Sequence, residues 1–401
     1  MASRFTPLFR HVTRRTPTTP FTMTAARRAT LHVNNKARPM VFTPMMTSRC
    51  MSTKTRTIKI PPLPLAFIGV ALACLGVGLY EYLTSDIQKY PPPVRQALRK
   101  ALYYQNKKEY NLALKYFREA LDQALVSPEL ERDSAHLTGI MIQLGSLLES
   151  LGRLPEARQT FVLALRHLVN LDETTPDDAV FEVQLKELPP QQQKKIVAVA
   201  QKLGDILARM RNRDEEAERY YAWSIEHLLR LSSRPRTAYE DPEDVVFDKE
   251  HMPAWLTHTE IGAALEAFGG YYAERNRPGY AIPLYLQALD LAGLKTCHAT
   301  VLMNNISDGY AALGKLEDAK QWAQRGLDLA QNPNTRKANK DGEVCDETCG
   351  VLLFNMGMLL EQSNEKEKAA QFYQKAVEQG RELKLVELVQ QANRGLRRVG
   401  A

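Results

Sequence analysis

Residues 141–165 read MIQLGSLLESLGRLPEARQTFVLAL. Gly145 is followed twelve positions later by Ala157, and then by Phe161 and Ala164. Apolar residues recur at three- and four-residue spacing on both sides of Leu151-Gly152, so the stretch reads as two helices joined by a tight turn. Two antiparallel helices approach closely only where their facing positions lack bulk, which Gly145, Ala157 and Ala164 supply. Seven residues after the small site, Gly152 suits a left-handed cap. Pro155 then stands in the first turn of the second helix, where its missing N–H costs nothing.

The same pattern returns along the chain. Residues 265–289 (LEAFGGYYAERNRPGYAIPLYLQAL) place Gly269 before Ala281, Tyr285 and Ala288. Residues 303–327 (MNNISDGYAALGKLEDAKQWAQRGL) place Ser307 before Ala319, Ala323 and Gly326. Residues 353–377 (LFNMGMLLEQSNEKEKAAQFYQKAV) place Gly357 before Ala369, Tyr373 and Ala376. Ala101 pairs with Ala113, Phe117 and Ala120, and Gly204 with Ala217, Tyr221 and Ser224, one residue out of register. The turn position is Asn276, Gly314 and Asn364 in the three later copies, and each aromatic is expected to fill the gap against the neighbouring unit.

This repetition resembles the tetratricopeptide repeat over most of residues 95–385. The resemblance implies an all-α fold, a tetratricopeptide-repeat α-solenoid. Successive small sites lie 44, 59, 65, 38 and 50 residues apart, against about 34 in the standard repeat. The added length falls near 171–190, 231–258 and 331–344, and residues 382–401 read as a C-terminal capping helix. Loops of this length in a compact domain are commonly functional or disordered. The middle one carries Tyr239, Phe247 and Trp255 among acidic residues, a composition that suits a partner clasp or a solvated connector with packing anchors.

A different composition precedes the repeats. Residues 1–80 hold twelve of the 53 Lys and Arg and none of the 46 Asp and Glu, so the remainder carries 41 bases against 46 acids. An Arg-rich, hydroxyl-rich, acid-free leader is expected over 1–59 as a disordered mitochondrial presequence, with processing near Arg49. The basic balance of the whole chain therefore belongs to the leader, and a nucleic-acid partner is not expected. Residues 60–84 contain an uncharged run, Leu63 to Tyr82 apart from Glu81, bounded by prolines on both sides. At about 1.5 Å per residue such a helix reaches roughly 30 Å, the depth of a bilayer core. A single transmembrane helix is expected there, followed by a Pro-rich linker over 85–94. Lys54, Arg56 and Lys59 before it, with Glu81 and Asp86 at its far end, put the N-terminus in the matrix and the repeats in the intermembrane space.

No catalytic motif, cofactor-binding motif or metal-ligand set stands out, so neither enzyme activity nor a cofactor is expected. Cys345 and Cys349 are four apart, and Cys297 lies upstream; a disulfide within this trio and free thiols at helix starts both fit the spacing. What a solenoid offers is a groove lined by the first helix of each unit. Asn305 and Asn355 each stand two residues before a small site, and Asn304 and Asp308 lie one turn around the same surface. An amide donates and accepts at once, which suits a bound peptide group, so these four are the candidate peptide-binding residues.

Leader, membrane helix and repeat domain together resemble the fungal inner-membrane adaptor subunit that associates with the i-AAA protease, most closely around residues 269–289. The resemblance implies a non-enzymatic, membrane-embedded role in mitochondrial protein quality control. Its implied partners are that protease, its other adaptor subunits and unfolded protein substrates. A second resemblance is to tetratricopeptide assembly factors of respiratory complex III.

Overall fold

The computed structural model describes residues 62–172, 174–232, 252–338 and 342–400. The presequence and its processing point lie outside these residues, as do Tyr239 and Phe247 of the middle insert. The chain divides into two units, one carrying the helix α1 (Pro62–Thr84) and the other the repeats from Tyr90 onward.

In the repeat unit, helices alternate in antiparallel pairs. They are α2 (Pro92–Asn106) with α3 (Tyr110–Val126), α4 (Ala135–Ser150) with α5 (Leu154–Leu168), and α6 (Pro190–Ala208) with α7 (Asp214–Ser232). There follow α8 (His258–Glu274) with α9 (Pro278–Ala292) and α10 (Cys297–Ala312) with α11 (Leu316–Gln331). After the short α12 (Pro333–Ala338) come α13 (Gly342–Gln362) with α14 (Lys366–Glu382), and α15 (Val386–Val399) packs on α14. Among the described residues there is no strand, and the repeat unit is a tetratricopeptide-like solenoid.

The small sites work as close-approach points. A methyl group added at Gly145 would lie 2.8 Å from the Phe161 ring, and at Gly357 2.8 Å from the Tyr373 ring. The same holds for Gly204 against Tyr221 and Gly269 against Tyr285. Each aromatic therefore fills the space over its own partner helix, and Tyr221 also stacks on Phe268 of the next unit at 5.5 Å, as expected of a ring that packs against its neighbour. A helix pair left to itself would gap where two small residues face each other, and the ring closes that gap. Tyr373 does both: it also covers Gly395 of α15. The third copy lacks a ring, and there Ser307 donates its hydroxyl to the Ala319 carbonyl at 2.8 Å.

The turn residues adopt left-handed backbone, with φ of 74° at Gly152, 57° at Asn276, 75° at Gly314 and 62° at Asn364. Asn212 does the same at 57°, eight residues after Gly204. The out-of-register copy thus holds its extra residue before the turn. The first insert folds into two 3₁₀ turns, Asp177–Glu182 and Leu185–Glu187, with Val180 and Leu185 buried. Its Phe181 ring meets Trp223 of α7 edge-on at 5.6 Å.

The expected membrane span over 60–84 is not met: among the described residues no helix is long and apolar enough to cross a membrane. A helix does form there, Pro62–Thr84, twenty-three residues long. Its exposed side chains include Phe67, Val70, Leu75, Val77 and Leu79.

Candidate functional site

The first helix of each pair lines the inner layer of such a solenoid, and here α6 touches α8 and α10 packs on α13. The four sequence-predicted residues lie on two of them, α10 and α13. Asn355 is 3% exposed and Asn304 7%, while Asn305 and Asp308 are half-buried. The Asn355 amide nitrogen donates to Asn304 Oδ1 at 2.8 Å and to Asp308 Oδ1 at 3.3 Å. Because a carboxylate only accepts, this contact fixes which end of the Asn355 amide is nitrogen. Its oxygen is then buried without a hydrogen-bond partner. The structure thus joins Asn304, Asp308 and Asn355, and leaves Asn305 outside that network on the same helix.

Glu266 and His298 were not singled out in the sequence. Glu266 stands three residues before Gly269, as Asn304 stands three before Ser307, so the repeat register was the available signal. The Glu266 residue is 8% exposed. Its Oε2 lies 2.9 Å from Nε2 of the exposed His298, across the seam from α8 to α10. That hydrogen bond raises the His298 pKa above the ordinary imidazole value, against the opposing effect of burial. The other carboxylate oxygen, Oε1, is buried and unpartnered. Orphaned buried acceptors are rare in native proteins and call for an explanation.

A disulfide joins Cys297 to Cys345, with 4.9 Å between the Cα atoms. It fixes the first turn of α10 to the start of α13, the two helices that carry the amide network. Cys349, one turn beyond Cys345, is buried outside the disulfide, with its sulfur 3.8 Å from Gln331 Nε2. Among the described residues no group of His, Cys, Asp and Glu could hold a metal ion.

A separate pocket of about 450 Å³ lies where the first insert meets α7, lined by residues that include Phe181, Lys186, Trp223, His227 and Arg230. His227 Nε2 lies 3.2 Å from Gln193 Oε1, and the Gln193 amide nitrogen donates to the Leu188 carbonyl at 2.7 Å. That orientation makes His227 the donor, with its proton on Nε2. Burial first, then Lys186 and Arg230, push its pKa down to about 4.

Comparison with known proteins agrees with the repeat reading. The family described as Tetratricopeptide repeat matches residues 351–379, within α13 and α14. A TPR repeat-containing protein of Schizosaccharomyces pombe is 24% identical over 330 residues, 78% of this chain and 79% of that protein. The human Tetratricopeptide repeat protein 19, mitochondrial, is 25% identical over 234 residues, 57% of this chain. The match spans about half of the human protein, 53% of its length. Among solved structures, BtubC (BKLC) from P. vanneervenii aligns at a TM-score of 0.41 and 20% identity, over 59% of this chain and 82% of its own. The assembly chaperone of RpL4 (Acl4) aligns at 0.37 and 14% identity, over 77% of this chain and 96% of its own. The chain is an all-helical, tetratricopeptide-like repeat protein whose similar proteins include a mitochondrial one.

Proposed function

We propose that the protein is a non-enzymatic, membrane-anchored adaptor of mitochondria that holds unfolded or membrane-protein segments and delivers them to the inner-membrane i-AAA protease. The observation that carries the polypeptide-binding part is the Asn355 amide. It is held by Asn304 and Asp308 on the inner layer, with an acceptor oxygen left unpaired. Extended polypeptides bring rows of backbone N–H groups, the donors such an oxygen lacks. Asn305, half-buried on the same helix, is the contact a passing segment would reach first.

The anchor belongs to this proposal. Its support is the apolar run from Leu63, the helix Pro62–Thr84 and the acid-free leader before it. The Cys297–Cys345 disulfide favours a compartment that permits oxidation, as the intermembrane space does. In this reading the N-terminus lies in the matrix, the chain crosses the inner membrane once, and the repeats face the intermembrane space.

A second reading is an assembly factor for respiratory complex III, favoured by the similarity to the human mitochondrial repeat protein. One experiment separates them: affinity purification of the tagged full chain after mild detergent extraction, with protease-protection mapping of the same protein. The adaptor reading expects the AAA protease to co-purify and the repeats to be shielded until the outer membrane opens. Recovery of complex III with its iron–sulfur subunit, and no protease, would replace it with the second reading.

A further inference from the structure

Three consecutive inner helices carry acids and no bases. The helices α8, α10 and α13 contain no Lys or Arg, while between them they carry eight Asp and Glu. Of the earlier inner helices, α2 holds Arg95, Arg99 and Lys100 and α6 holds Lys194, Lys195 and Lys202, while α4 has no Lys or Arg and a single acid, Glu149. Some acids at the ends of the strip are already paired, Glu260 with Lys194 and Glu361 with Arg398. Away from the helix starts lie two buried acceptors with no hydrogen-bond donor, Glu266 Oε1 on α8 and Asn355 Oδ1 on α13. Both are acceptors. Between them, on α10, lie Asn304 and Asp308.

An acidic stretch alone is an ordinary solvated helix face. Two residues more than nine-tenths buried, each with an acceptor lacking a donor, are a different matter. Burial keeps bulk water from such atoms, so a donor reaches them only with a segment that displaces what covers them. A backbone N–H serves Asn355, and a carboxylate oxygen such as Glu266 Oε1 bonds most strongly to a cationic donor.

Resting on the adaptor reading, we infer that the strip formed by α8, α10 and α13 selects for positive charge: it takes an extended polypeptide segment with its N–H groups at Asn355 and a Lys or Arg side chain at Glu266 and Asp308. The partner is thus a basic stretch of unfolded chain. Like charge would exclude acidic segments from the same face.

The test uses the full chain in detergent micelles and three fluorescein-labelled 15-residue Ala/Leu peptides, carrying four Lys, four Glu or four Gln. Fluorescence anisotropy should give a Kd for the Lys peptide at least tenfold below that for the Glu peptide. Glu266→Gln with Asp308→Asn should weaken Lys-peptide binding at least tenfold and leave the Gln peptide within twofold. Asn305→Lys, which adds one cation at a half-buried position, should act in the same direction, and thermal melts of both variants guard against a folding defect. Equal binding of Lys and Glu peptides, or a preference that survives both variants, overturns the charge selection while the adaptor reading stands. Binding of none of the three peptides overturns both.

Discussion

Asn355 on α13 donates its amide to Asn304 on α10, 2.8 Å away, so the residue expected to meet a peptide is itself a strut between two repeats. Replacing it by Ala removes a buried donor shared with Asp308. That should cost about 1–3 kcal/mol of stability. Asn305→Ala, outside the network, should leave the melting temperature within a degree or two and lower the affinity for unfolded polypeptide. Thermal melts beside peptide titrations check both. A stable Asn355→Ala with a destabilised Asn305→Ala would reverse the roles given to the two residues.

Close approach at the small sites predicts opposite effects for two glycines on one helix. A methyl at Gly269 would sit 2.7 Å from Tyr285 Cε1, closer than real contacts allow, and the ring is packed within the core. Gly269→Ala should cost about 1–3 kcal/mol. At Gly262 the nearest atoms are 3.7 and 3.8 Å away, an ordinary contact. Gly262→Ala should therefore gain up to about 1 kcal/mol of helix propensity. Urea denaturation of the two variants checks the pair of signs.

The disulfide between Cys297 and Cys345 closes a loop of 48 residues. In the chain-entropy account a cross-link of that span is worth about 4 kcal/mol. Reductant should lower the denaturation midpoint of the natural chain and leave the double variant Cys297→Ala, Cys345→Ala unmoved. Both cysteines are replaced so that neither can pair with Cys349. Equal midpoints with and without reductant would show that the cross-link carries no stability.

His227 sets an acid limit. Its pKa in the fold, about 4, lies below the ordinary 6.5, so between these values the unfolded chain binds more protons than the folded one. Stability from this group is complete above pH 6.5 and is lost as the pH falls through 6.5 toward 4. The His227→Gln variant should show a shallower loss of melting temperature over that window, with little change at pH 7.5. An unchanged slope would place the acid sensitivity elsewhere.

The repeat architecture was legible because close packing is a strict requirement written in residue size. Gly145, Gly269 and Gly357 could be found without coordinates, as could the turn residues Gly152, Asn276 and Asn364, which take left-handed backbone. Where each aromatic points was not legible, since spacing alone does not distinguish a ring lying over its own partner helix from one reaching the next unit. The candidate site was read in part. Periodicity put Asn304, Asp308 and Asn355 on one surface, but only the contacts show Asn355 bracing two repeats and Asn305 lying outside that network. Glu266 was hidden because a single acid on a helix looks solvated until its burial is known. The cysteine pairing was open for a similar reason: three residues permit several bonds, and only the seam between α10 and α13 brings Cys297 to Cys345.

The central claim, that the inner layer of the later repeats holds a polypeptide, is tested most directly by site-specific photocrosslinking in intact mitochondria. A benzophenone amino acid is placed at Asn305 on α10 or at the exposed Gln324 on the second helix of the same pair, α11. Covalent adducts to unfolded polypeptide are expected from position 305 and not from 324. Adducts from 324 with none from 305 would contradict the account.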